Sequence, residues 1–75
     1  MDVLERIKID STIGAVTEEC IKQAKRYLNK RKPDIANQYT TLAEHVQKVT
    51  TSREALYYKA MLTSLNAIND LIASN

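Results

Sequence analysis

Apolar residues recur at helical spacing along most of the chain. Between about Ser11 and Lys32, Ile13, Val16, Cys20, Ala24, Tyr27 and Leu28 share one side while Glu18, Lys22, Lys25, Arg26 and Asn29 share the other, which predicts an amphipathic helix. Pro33 closes it, because the residue before a proline is driven out of the helical region, and Pro33 itself suits an early position of the next helix. That second helix is predicted over 33–49, where Ile35, Tyr39, Leu42, Val46 and Val49 are spaced 4, 3, 4, 3, the narrow seam of helices packed nearly antiparallel. Continuing the same phase would put Arg53 and Thr63 in the seam, so the register breaks near Thr50. Thr51 and Glu54 have the spacing of a capping box, and a third helix is predicted over 52–73. No Gly or Pro enforces that turn, so one long helix with a shift in phase stays open.

The third helix carries two apolar stripes. Tyr58, Met61, Leu62, Leu65, Ile68 and Ile72 form one, expected to face inward; Leu56, Ala60, Ala67 and Leu71 lie nearly opposite, with Tyr57 and Ser64 between the two. Only the arc of Lys59, Thr63, Asn66 and Asp70 is clearly polar. A helix this apolar must be covered on more than one side, so it is either sandwiched between the other two helices or partly reserved for a partner. The first ten residues are ambiguous: Asp2 and Glu5 look like helix-starting acids, while Ile7, Lys8 and Ile9 alternate like extended chain, and a short helical turn or an arm is expected. The fold class is therefore all-α, a three-helix bundle or a helical hairpin with an additional helix, in one domain spanning 1–75.

A chain of 75 residues buries only about 60% of the surface it would expose unfolded, so a second chain is expected to help complete the core. At 44% hydrophobic and 27% charged, with one Gly and one Pro, the composition excludes collagen-like and low-complexity classes. The single Cys20 cannot close a disulfide within the chain, no signal peptide opens it, and no apolar run approaches the ~18 residues that span a bilayer, which together point to a reducing cytoplasm.

Net charge is +2 but unevenly distributed: residues 1–19 carry −3, residues 20–33 carry +6, and residues 34–75 carry −1. The positive field belongs to Lys22, Lys25, Arg26, Lys30, Arg31 and Lys32. A solvated face, or one meeting an acidic partner, is the simpler reading of this run; phosphate contact, hence nucleic-acid binding or a phage or regulatory role, is the alternative. A helix-turn-helix around Leu42, Ala43 and Val46 fails, because the turn position that wants glycine is Gln47 and two positions that should be apolar are Lys48 and Arg53.

Catalytic chemistry finds little support. The only imidazole, His45, is off the apolar seam and on a different helix from Cys20, so a buried structural thiol and a solvated histidine are expected. One His and one Cys cannot supply a four-ligand zinc site, and there is no phosphate-cradling glycine loop or calcium loop. No cofactor and no enzymatic activity are expected. Leu56, Tyr57, Ala60, Ala67 and Leu71 are the expected partner-binding surface, with Tyr57 the type of aromatic that anchors interfaces.

The opening Met1, Asp2, Val3, Leu4 and Glu5, the run Val16, Thr17, Glu18 and Glu19, and the pair Gln38 and Tyr39 after a proline-marked turn resemble the small E-type co-chaperones of bacterial type III secretion systems. The resemblance covers roughly the first 60 residues. It implies a cytosolic protein, built as a helical hairpin with Tyr39 and Leu42 close to its turn, that pairs with a helical-repeat chaperone and keeps a self-polymerising needle subunit soluble before export.

Overall fold

A computed structural model describes residues 2–74. Three helices account for nearly all of them, with no strand among the described residues: α1 (Val3–Asn29), α2 (Pro33–Val46) and α3 (Ser52–Ala73). The body is elongated, 45 × 17 × 13 Å. α2 runs antiparallel to α1, and α3 returns parallel to α1, as contacts at both ends show: Ser52 reaches Glu5 at 3.4 Å, and Arg26 reaches Asp70 at 3.5 Å.

α1 begins at Val3 rather than near Ser11, so the expected turn or arm is helix. Asp2 caps it by accepting from the Leu4 amide at 3.1 Å, and Glu5 sits in the first turn where the helix dipole favours an acid. Ile9 explains why the helix persists: it is buried in phase with Val16, Cys20, Ala24 and Tyr27, so the inward stripe starts four residues earlier than Ile13. Leu28, expected on that stripe, is exposed.

The helix stops at Asn29, not Lys32. The Arg31 amide donates to the Leu28 carbonyl at 3.0 Å and the Lys32 amide to the Tyr27 carbonyl at 2.8 Å, while Arg31 takes a left-handed φ of 60°. This is the helix-closing arrangement usually built on glycine. Pro33 then occupies the start of α2 as expected.

α2 ends at Val46, three residues before the predicted limit. A tighter turn follows, with Lys48 and Val49 amides donating to the carbonyls of His45 and Val46, and it still delivers Val49 into the core. At the start of α3 the Thr51 hydroxyl accepts from the Glu54 amide at 3.2 Å, half of the predicted capping box. The Glu54 carboxylate accepts from the Thr51 hydroxyl at 3.1 Å, so the reciprocal contact is side chain to side chain.

The core joins Ile9, Val16, Cys20, Ala24 and Tyr27 of α1 to Ala36, Tyr39, Leu42 and Val46 of α2, then Val49, and Ala55 and Leu62 of α3. Tyr27 and Tyr39 stack at 5.9 Å with an 11° interplanar angle, while Arg26 and Lys30 lie over the Tyr27 ring at 5.4 and 5.7 Å. α1 is the central helix: it packs on α2 most extensively and on α3 less, and α2 meets α3 least. α3 is therefore peripheral, not sandwiched.

Candidate protein-binding surface

What α3 turns inward fixes what it leaves outside. Its buried positions are Ala55, Leu62 and Asn69, one every seven residues, with Tyr58 and Leu65 partly buried beside them. A polar cluster sets this rotation. The Tyr39 hydroxyl donates to Asn66 Oδ1 at 2.8 Å and accepts from Asn69 Nδ2 at 3.2 Å, and Asn69 also donates to Gln38 Oε1 at 3.3 Å. A buried hydroxyl left without partners is expensive, so the two asparagines are drawn under Tyr39 and the helix turns with them.

Three residues of the predicted inward stripe consequently face solvent. Met61, Ile68 and Ile72 join Leu56, Tyr57 and Leu71 on the outside, and these six side chains are 40 to 69% exposed. Ala60 and Ala67 are exposed on the same face. Leu56, Tyr57, Ala60, Ala67 and Leu71, the expected partner surface, are thus together and accessible, enlarged by the three residues that sequence periodicity placed inside. Along this face Tyr57, Met61, Ser64, Ile68 and Leu71 repeat at 4, 3, 4, 3, a second helix-packing seam. Between Ala55 and Ser74 the only charged residues are Lys59 and Asp70. Asp70 is turned toward α1 and Arg26, and Lys59, eleven residues earlier, shares that edge.

Two clefts adjoin the surface. One of about 530 Å³ runs between α2 and α3 over Leu42, Tyr58, Met61 and Leu65, with Asn37 and His45 at its rim. There the rings of His45 and Tyr58 meet edge-on at 6.4 Å, and Tyr57 meets Tyr58 at 5.5 Å. The other, about 420 Å³, lies between α1 and α3 over Ile7, Ile9, Ala55 and Leu56. Ile7 on its wall is itself exposed, as are Val3 and Leu4 in the preceding turn of α1.

The six basic residues are all exposed but do not form one helical stripe. Lys22, Lys25 and Arg26 are on α1, whereas Lys30, Arg31 and Lys32 follow its last helical residue. Arg26 is engaged with Asp70 and with Gln23 Oε1 at 3.4 Å, and with Lys30 it also covers Tyr27.

Cys20 is fully buried. Burial, reinforced by the neighbouring Glu19 carboxylate, pushes its thiol up from 9.0 to about 11. The folded protein is therefore expected to react with thiol reagents at pH 8 at least roughly 100-fold more slowly than the unfolded chain, from the thiolate population alone. Equal rates, read by absorbance with a disulfide reagent, would contradict this environment. Because folding accommodates the neutral thiol, Cys20's contribution to stability is intact below pH 9 and is lost as pH rises from about 9 to about 11. Burial likewise raises the Tyr39 hydroxyl, opposed by its bond to Asn69. His45 is exposed.

Among the described residues no group of three or more His, Cys, Asp or Glu side chains is placed to hold a metal ion, and no helix is long and apolar enough to cross a membrane. The resemblance residues Val16 to Glu19 lie in the middle of α1, and Tyr39 lies about two turns into α2, in the core. No family model matches this chain, and neither a curated protein sequence nor a solved structure matches it.

Proposed function

We propose that this chain is a non-catalytic protein-binding module whose binding surface is the outward face of α3. The observation that carries this is the face itself: six large apolar side chains, 40 to 69% exposed, along about five turns whose two charges, Lys59 and Asp70, lie off this face. Exposed apolar patches of several hundred Å² mark interaction sites in water-exposed proteins. Helical spacing of the exposed residues makes another helix the natural counterpart.

The co-chaperone role implied by the family resemblance is one specific form of this function: a cytosolic helper that, with a helical-repeat chaperone, keeps a needle subunit soluble. What supports that finer role is the run Val16 to Glu19, the pair Gln38 and Tyr39, and the opening residues alone.

The double substitution Tyr57→Ser, Leu71→Ser tests the general reading, because both side chains are more than 60% exposed and contribute little to the core. It is expected to leave the melting temperature within a few degrees of the parent while abolishing the associated species seen by native mass measurement of protein purified from its source cells. Retention of the same associated species by the variant would remove α3 as the binding surface.

A further inference from the structure

We infer that the basic end of the molecule docks on an anionic lipid surface, with Ile21 and Leu28 entering the interface among the exposed bases of residues 22–32. This site is separate from the outward face of α3. The first argument is where the charges sit. Arg26 and Lys30, at the end of α1, complement the dipole of that helix. Arg31 and Lys32 have no such reason to be basic. Lys32 is the capping residue of α2, at the positive end of that helix's dipole, and its side chain makes no capping bond. Arg31 takes a left-handed φ of 60°, where glycine is the residue without strain. Folding alone favours neither cation at this turn, and local rules broken together mark a functional site.

The charges are also uncompensated and are mixed with apolar side chains. Residues 20–33 hold six bases and no acid, and among the described residues only Arg26 of the six is in an ion pair. Glu18 and Glu19 on one side and Asp34 on the other bound the patch. Ile21, Lys22, Lys25 and Arg26 border one shallow hollow on α1. Ile21 and Leu28 are 48 and 57% exposed and, seven residues apart, share a face of α1. Lys25 lies between them, all three within about 60° around the helix. Apolar side chains set among lysines suit the boundary between headgroups and acyl chains, because long lysine stems lie along apolar surface while their charges stay with the phosphates.

Other polyanions fit less well. A nucleic-acid backbone would meet the cations but leave Ile21 and Leu28 uncovered, and the one aromatic ring of the run, Tyr27, is fully buried, so no base can stack on it. An acidic partner helix would need its carboxylates in one register, whereas these bases are divided between a helix face and a turn. Lipid headgroups rearrange under the charges and need no register.

Co-sedimentation of the purified chain with phosphatidylcholine vesicles, with and without phosphatidylglycerol, tests this. Binding is expected to the anionic vesicles only, at low salt, and is expected to be lost at about 1 M salt, where charges are screened beyond roughly 3 Å. Lys22→Gln with Lys25→Gln should weaken it roughly 30-fold, about fivefold for each lysine. Ile21→Ser with Leu28→Ser should weaken it at least about 10-fold, while Tyr57→Ser with Leu71→Ser on α3 should leave it unchanged. All six side chains are exposed, so each variant should keep the helical circular dichroism of the parent. No binding to anionic vesicles at low salt, equal binding to neutral ones, or loss of binding in the α3 variant alone would overturn the inference. Displacement by a DNA duplex, with the Ile21→Ser, Leu28→Ser variant binding as the parent does, would overturn it in favour of a phosphate-backbone site.

Discussion

Replacing Tyr27 by alanine is expected to destabilise the protein by about 3 to 5 kcal/mol, the range for removing a large buried ring from a packed core. The side chain is fully buried, stacks on Tyr39 at 5.9 Å, and lies beneath Arg26 and Lys30, so its loss empties the junction between α1 and α2 near their turn. Chains of this length hold roughly 4 to 11 kcal/mol in all. A fall in melting temperature of at least about 12 °C is therefore expected by circular dichroism. Tyr27→Phe separates the ring from its hydroxyl. That hydroxyl is buried and makes no hydrogen bond among the described residues, so phenylalanine should fold as well as tyrosine or slightly better. A large loss in Tyr27→Phe, or a negligible one in Tyr27→Ala, would contradict this packing.

Leu62→Ala is expected to remove about 2 to 5 kcal/mol and to act on one helix in particular. Leu62 is 6% exposed and is the only large apolar side chain of α3 in the buried set; its companions there are Ala55 and Asn69. Since α3 packs chiefly on α1 and only lightly on α2, losing that anchor leaves it held by Tyr58, Leu65 and the hydrogen bonds of Asn66 and Asn69. Amide exchange in α3 should accelerate before that in α1 and α2, as expected when one peripheral element opens below the global barrier. Uniform acceleration across all three helices would show instead that α3 is cooperative with the hairpin.

The same residues explain how far sequence reading reaches. The α2 seam was legible because its apolar positions have a single helical reading: Tyr39, Leu42 and Val46 are buried as the 4, 3 spacing requires, and even Val49 reaches the core beyond the helix end. The α3 start was legible in Thr51 and Glu54. The start of α1 was not, although its signal was present: Ile9 is four residues before Ile13 and shares its phase, but the alternation of Ile7, Lys8 and Ile9 offers an equally regular extended pattern over so short a stretch. The end of α1 was hidden because Arg31 takes a conformation usually reserved for glycine.

The outward face of α3 was half legible. Two apolar stripes announced more apolar surface than one packing face needs, and Leu56, Tyr57, Ala60, Ala67 and Leu71, all exposed, were picked out from that excess. Periodicity alone separated the stripes but could not fix the rotation of the helix, and Met61, Ile68 and Ile72, on the stripe expected inside, are exposed. The choice is made by polar atoms: Asn69, 1% exposed, is drawn inward by Tyr39 and Gln38 on another helix. Hydrophobic patterning scores an asparagine as a surface residue, so a buried one rotates the helix away from its apolar optimum and leaves large side chains outside. A polar contact inside the bundle thereby creates the surface outside it.

On the proposed function, association belongs to this face and not to exposed apolar side chains in general. The most direct measurement is the native mass of three chains at one concentration: the parent, Tyr57→Ser with Leu71→Ser, and Ile21→Ser with Leu28→Ser, the last pair being 48 and 57% exposed on α1. The parent and the α1 variant are expected to share the associated mass and the α3 variant to run as a single folded chain. Loss of association in the α1 variant with retention in the α3 variant would contradict it.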